Sequence, residues 1–289
     1  MIAETARTMD YDRLLDEAAA QLRRAGVESP RREARLLLGH AMGVPASEIA
    51  TGQIAIPQNF AAVFSATIVR RCRREPFAYI TGIREFWSLE FRVSRDVLIP
   101  RPETETLVAA ALREFPSSDA ALRVLDLGTG SGCLLLAFLS ERPNATGVGA
   151  DLSEDALRLA ARNARDLSME GRASFVQSHW TSAISGTFDV VFANPPYVLT
   201  GEFAELAAEV AQFEPRLALD GGADGLCAYR EIAAGLLKSM APGALLFVEA
   251  GYGQATVIRD IFAAAKFQHQ ATACDLGGIP RCIVMRVNV

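Results

Sequence analysis

Val124-Leu125-Asp126-Leu127-Gly128-Thr129-Gly130-Ser131-Gly132 runs directly into the apolar stretch Cys133–Leu139. Strand-like residues, then glycine at every second position, then a helical run read as a strand–turn–helix with the glycines at the turn. Glycine there lets the backbone take positive φ and approach a ligand closely. A dinucleotide fingerprint places its third glycine three positions after the second, and Cys133 holds that position. The nicotinamide reading therefore weakens, but the fold logic stands: open sheets bind ligands beyond the carboxyl ends of their strands, at the switch point. Outward from this turn, strands are predicted at 123–127, 146–150, 173–177, 188–193 and 244–249. Helices are predicted at 133–141, 154–167, 226–240 and 254–266. This alternation implies parallel strands joined by right-handed crossovers. The final strands, 269–275 and 281–287, flank a Gly-Gly-Ile-Pro turn, so an antiparallel hairpin is expected at the sheet edge.

The chain before this domain reads differently. Leu14, Leu15, Ala18, Ala19 and Leu22 lie at helical spacing. Ser29-Pro30 predicts a serine-capped helix that ends before Gly43, and Phe60–Ile68 predicts another. From Pro76 the period turns strand-like, through Tyr79-Ile-Thr-Gly82, Phe86–Val93 and Val97-Leu-Ile-Pro100, which reads as a linking hairpin. The expected organisation is a helical domain at 1–75, a hairpin linker at 76–103 and an α/β domain at 104–289.

Composition narrows the classes. The 289 residues carry a net charge of −5 and are 50% hydrophobic, which exerts no general pull toward nucleic acid or an anionic membrane. Arg70-Arg71-Cys72-Arg73-Arg74 is read as a solvated basic face, and nucleic-acid contact is expected only indirectly. The five cysteines are scattered without a C-x-x-C pair and are read as buried reduced thiols; the three histidines show no ligand spacing, and no metal is expected. Met1–Asp10 carries no charged start and apolar core, and no apolar run approaches the ~20 residues of a membrane span. A cytoplasmic protein is the expectation.

Three positions carry chemistry. Asp151, 23 residues after Gly128, stands where an acidic side chain accepts from ribose hydroxyls. Trp180 follows the third strand, where its ring packs either on an adenine or in a core. Asn194-Pro195-Pro196-Tyr197 ends the fourth strand. Two prolines remove donors and stiffen the backbone, leaving the Asn194 Oδ1 and a proline carbonyl as held acceptors for a planar –NH2 group, with Tyr197 on its flat face.

Together, Asp126–Gly132, Asp151 and Asn194–Tyr197 resemble the class I S-adenosylmethionine-dependent methyltransferases that act on planar nitrogen, among them DNA and RNA amino-methyltransferases. Tyr79–Gly82, Glu85-Phe-Trp87, Val97–Glu105, Phe213–Leu219 and Asp224–Leu226 are similar to the protein-(glutamine-N5) methyltransferases that modify peptide chain release factors. The related family acting on a ribosomal protein usually alters the Arg101-Pro-Glu-Thr-Glu105 segment, which is intact here. The resemblance implies a Rossmann-like domain that binds S-adenosylmethionine through Gly128, Thr129, Gly130, Ser131, Gly132, Asp151, Trp180 and Asn194. It also implies that Asn194, Pro195, Pro196 and Tyr197 hold a glutamine from a Gly-Gly-Gln loop, and that the helical domain docks the release factor. The family commonly has an acidic residue before the tryptophan. His179 stands there in this chain, which leaves the carboxylate partner of an adenine amino group open. Arg101 and Glu103 are candidates for the mouth of the site or for a salt bridge.

Overall fold

The computed structural model describes residues 11–49 and 60–287; the Met1–Asp10 segment lies outside them. Residues 11–82 form helices α1 (Tyr11–Arg24), α2 (Pro30–Met42), α3 (Ala46–Ile49), α4 (Phe60–Cys72) and α5 (Phe77–Thr81). Leu15, Ala18, Ala19 and Leu22 are buried as their spacing requires, and Leu15, Ala18 and Leu22 pack with Leu37, Leu38, Phe64 and Ile68. Each such leucine contributes about 1.5–3 kcal/mol by leaving water. Pro30 opens α2, and Gly43 closes it in the left-handed conformation, its N–H reaching the Gly39 and His40 carbonyls. Ser29 caps only through its backbone, its carbonyl accepting from Glu33 N at 2.9 Å, and its side chain makes no capping bond. The strand expected at Tyr79–Thr81 belongs instead to α5. Pro76 starts that helix and left-handed Gly82 stops it, and these two signals outweigh the β-branched residues between them.

The second unit begins at Ile83. Strands β1 (Ile83–Phe86) and β2 (Leu89–Arg92) form a hairpin whose two-residue turn, Trp87-Ser88, has positive φ at both positions. Phe86–Val93 is thus a strand, a tight turn and a second strand rather than one continuous strand. Val97–Pro100 is irregular. A 3₁₀ turn at Pro102–Thr104 leads into α6 (Glu105–Glu114). There follow β3 (Arg123–Leu127), α7 (Cys133–Glu141), β4 (Thr146–Asp151), α8 (Glu154–Asp166), β5 (Ala173–Gln177) and β6 (Phe188–Ala193). The chain continues through α9 (Ala208–Phe213), α10 (Cys227–Gly235), β7 (Met240–Glu249), α11 (Ala255–Ala264), β8 (Phe267–Cys274) and β9 (Pro280–Val287).

The main sheet has the order β5-β4-β3-β6-β7-β9-β8. The first five strands are parallel, and β9 is antiparallel to both β7 and β8. The expected terminal hairpin forms, with β9 inserted between β7 and the edge strand β8. Strand residues alternate faces: Val124, Phe192 and Phe247 pack with α6 and α7, whereas Leu125, Val191 and Val248 pack with α10 and α11. The direction of strand addition reverses between β3 and β6, and this places a crevice at their carboxyl ends.

The six residues of α9 belong to the helical unit. Arg71 is 6% exposed, and its guanidinium meets Glu33 at 2.5 Å and Glu209 at 3.1 Å; Arg74 joins Glu209 at 2.7 Å. Arg70 pairs with Glu75. The basic run is therefore largely consumed in ion pairs rather than forming a solvated face. Two of the cysteines depart from expectation as well, since Cys227 and Cys274 are exposed. No helix of the described residues is long and apolar enough to cross a membrane.

Candidate active site

Strand register builds the site. Leu127 of β3 pairs with Ala193 of β6, and Ala193 pairs with Val248 of β7. The next residue on each strand, Gly128, Asn194 and Glu249, therefore stands at one level along the carboxyl edge. Above that edge lies a cavity of about 320 Å³. Its wall includes Gly128, Thr129, Gly130, Ser131, Asp151 and Trp180 at one end and Asn194 and Pro196 at the other.

Gly128 turns the chain away from β3 with φ of +70°, and its N–H is held by the Ala150 carbonyl at 2.8 Å. A side chain there would meet the Trp180 ring, 3.7 Å from a Cβ at that position. Gly132 does not line the cavity. It closes the turn with φ of +82°, and a Cβ would press on Ala160 and Leu136 of the packed helices. Asp126 beneath the loop is 1% exposed; its Oδ2 accepts from Thr129 Oγ at 2.6 Å, and its Oδ1 has no partner. Burial pushes its carboxyl up to about 7.

Asp151 ends β4, and each of its oxygens already accepts one backbone N–H, Gly130 at Oδ2 and Ser153 at Oδ1, both at 2.9 Å. Each oxygen keeps a second lone pair. Burial raises its pKa, and those backbone donors oppose the rise. Ser153 caps α8 by accepting from Ala156 N, so Asp151 is not that helix's cap.

Trp180, half-buried with φ of +48°, turns its ring along the cavity, and its Nε1 donates to Glu231 Oε2 at 2.7 Å. His179 Nε2 lies 3.3 Å from the same oxygen. A carboxylate from α10 thus stands beside both His179 and Trp180. Residues 227, 228 and 231 reach the wall from one side of the first turns of that helix. Nothing in the local sequence marked Glu231, because its proximity to Trp180 comes entirely from the crossover.

Asn194 is half-buried, and its Nδ2 donates to Thr104 Oγ at 3.2 Å, leaving Oδ1 as the amide's free acceptor. Pro196 lines the cavity with it, whereas Pro195 is buried and Tyr197 lies behind the wall. The Tyr197 ring packs closely on Gly251, and its carbonyl accepts from Gln254 Nε2 at 3.2 Å. Burial, reinforced by Glu249, pushes the Tyr197 phenol up to about 12, so it stays neutral at physiological pH. Of the linker residues, Arg101 lines the cavity and pairs with buried Glu214 at 2.5 Å, while Glu105 already lies in α6 and accepts from Trp87 N at 2.8 Å. Thr104, also on the wall, was overlooked by sequence reasoning in favour of its charged neighbours.

Residues 13–82 match the PrmC N-terminal domain family, and residues 106–221 match the methyltransferase small domain. A release factor glutamine methyltransferase of Rhodospirillum rubrum is 45% identical, covering 95% of this chain and 84% of that protein. One from Caulobacter vibrioides is 42% identical over 92% of this chain and 93% of its own length. A methyltransferase from Pyrococcus furiosus shares the fold, with a TM-score of 0.52 at 14% identity, covering 78% of this chain and 98% of that one. With curated relatives this similar over nearly its whole length, the chain belongs to the release factor glutamine methyltransferase family.

Proposed function

We propose that the chain transfers a methyl group from S-adenosylmethionine to the side-chain nitrogen of the Gly-Gly-Gln glutamine in peptide chain release factors. The observation that carries this reading is Asn194, level with the glycine loop at the switch point, with its amide anchored through Nδ2 and its oxygen free. The residues present fit the cofactor. Asp151 has lone pairs for two ribose hydroxyls, and Trp180 offers a ring on the cavity wall. When bound, S-adenosylmethionine supplies the electrophile, a methyl on a sulfonium sulfur.

The chain's own residues have the task of presenting a poor nucleophile. An amide nitrogen has a delocalised lone pair, so its N–H groups must be held and its nitrogen aimed. Asn194 Oδ1 and the Pro195 carbonyl accept those N–H groups. As positive charge builds on the nitrogen, these fixed acceptors meet it without reorganising. Holding two reactants in a near-attack arrangement supplies on the order of 7–11 kcal/mol. The proton leaves to water afterwards, and Tyr197, a neutral phenol packed on Gly251, backs the wall behind Asn194 and Pro196. The helical unit provides a docking surface for the body of the release factor.

The test is to incubate the protein with methyl-labelled S-adenosylmethionine and, separately, purified release factors, ribosomal particles, and DNA or RNA. Label in the release factors supports the reading; label only in ribosomal protein or nucleic acid replaces it.

A further inference from the structure

The Trp180 ring is held at two opposite edges. Its six-membered edge rests against Gly128, where a Cβ would lie 3.7 Å from Cζ3. At the far edge, Nε1 donates to Glu231 Oε2 at 2.7 Å. The ring also packs on the buried cluster that contains Tyr229, Ile232 and Ala233 of α10, and it lines the cavity. Glu231 projects from that same helix, whose Tyr229 hydroxyl is tied to the Glu249 carbonyl at 2.9 Å. The acceptor therefore stands on a packed element. The neighbouring cation, Arg230, is paired with Asp224.

An indole N–H can only donate, so the direction of this bond is fixed. Rotation about the Cβ–Cγ bond of an aromatic side chain is soft and roughly two-fold. Trp180 is half-buried, so neighbours do not lock its ring on every side. A half-turn of the ring would carry Nε1 away from Glu231 and break the bond. The bond thus selects one of two ring orientations and limits rocking of the side that lines the cavity. His179 Nε2 lies 3.3 Å from the same oxygen, so the shorter contact belongs to Trp180.

We propose that Glu231 is a positioning residue that holds the Trp180 indole as a pre-set platform for the adenine of S-adenosylmethionine. This rests on the reading of the cavity as the cofactor site. Glu231 engages the ring at its edge rather than its face, so it acts on cofactor binding through the orientation of Trp180. A platform that must be ordered when the cofactor arrives costs affinity, whereas one already held does not.

The test compares full-length wild type with four variants. E231M keeps helix propensity but has no strong acceptor, and E231Q keeps an acceptor oxygen. W180F keeps a ring but has no N–H, and the fourth is the E231M/W180F double variant. The first readout needs no cofactor: the chain has two tryptophans, and the Trp180 indole 1H–15N signal is assigned by its loss in W180F. E231M should shift that signal and accelerate its exchange with water, and E231Q should keep it near the wild-type position. The second readout is S-adenosylmethionine affinity by titration calorimetry. E231M should weaken binding about two- to tenfold, the range for ordering one side chain on binding, and E231Q should bring affinity to within about twofold of wild type. In W180F, adding E231M should weaken binding no further, because the bond it removes is already gone. The same loss in both backgrounds would mean that Glu231 meets the cofactor directly, which overturns the proposal. An unshifted indole signal or wild-type affinity in E231M overturns it as well. Wild type that binds no S-adenosylmethionine would overturn the cofactor reading and this role with it, so wild type alone tells the two failures apart.

Discussion

Replacing Asp151 with alanine should separate cofactor affinity from fold stability. Its carboxylate accepts from Gly130 N and Ser153 N at 2.9 Å and retains two lone pairs toward the cavity. A hydrogen bond to a charged group contributes roughly 1.5–3 kcal/mol, so losing the ribose acceptor should weaken S-adenosylmethionine binding about 10- to 150-fold. Stability should change less than two lost backbone bonds would suggest. Burial raises the Asp151 pKa despite those donors, so the ionised form is held in the fold at a cost, and alanine relieves it. The net loss should be below about 2 kcal/mol. The same sign governs pH: the ionised acceptor is lost as pH falls through a value above the ordinary carboxylate range, and affinity should decline there. Titration calorimetry with a parallel thermal melt measures both quantities. Unchanged affinity in a folded D151A would remove Asp151 from the cofactor site.

Other outcomes follow from the same structure. N194A should lower kcat far more than thermal stability, and near-normal turnover at saturating substrates would exclude Asn194 as the amide acceptor. Burial pushes the Glu249 carboxyl up to about 7. Its contribution to stability should be greatest below about 4.5 and decline up to about 7. The charged and titratable groups facing Glu249 are Arg281 and Cys282 of β9, Arg101 and Glu103 of the linker, Tyr197 and Tyr229. Cys133 at the start of α7 also feels it. Asp126 lies at about 7 as well, so this stability step belongs to Glu249 only as far as E249Q removes it from thermal melts across pH. R71M leaves partly buried Glu33 without its cation and Glu209 with Arg74 alone, and should cost about 3 kcal/mol in denaturant unfolding; a loss under ~1 kcal/mol would mean that the pairs behave as surface ones. A short Gly-Gly-Gln peptide should be a far poorer substrate than the intact release factor, and equal kcat/KM for the two would remove the docking role of the helical unit.

The fold was legible because its signals are local and repeated. The strand–glycine–helix turn at Val124–Leu139 and the alternation after it needed no long-range information, and neither did the Pro30 and Gly43 helix boundaries. Misreadings arose where composition resembled one element and flanking residues enforced another. Tyr79–Thr81 looks strand-like but lies between Pro76 and left-handed Gly82, and Phe86–Val93 hides a two-residue turn. The arginine run looked solvated because its partners, Glu33 and Glu209, are 38 and 138 residues from Arg71. Likewise, Gly128, Asp151 and Asn194 could be placed by strand ends alone. Thr104 and Glu231 could not, because they reach Asn194 and Trp180 from a separate turn and a crossover helix that sequence spacing does not express.

The central claim is that a fixed acceptor on Asn194 aims a glutamine amide nitrogen for methylation. The direct measurement is tandem mass spectrometry of an intact release factor after incubation with S-adenosylmethionine and either wild type or N194A. The account predicts a single added methyl on the side-chain amide of the Gly-Gly-Gln glutamine with wild type and almost none with N194A. A methyl on a different residue, or equal modification by N194A, would contradict it.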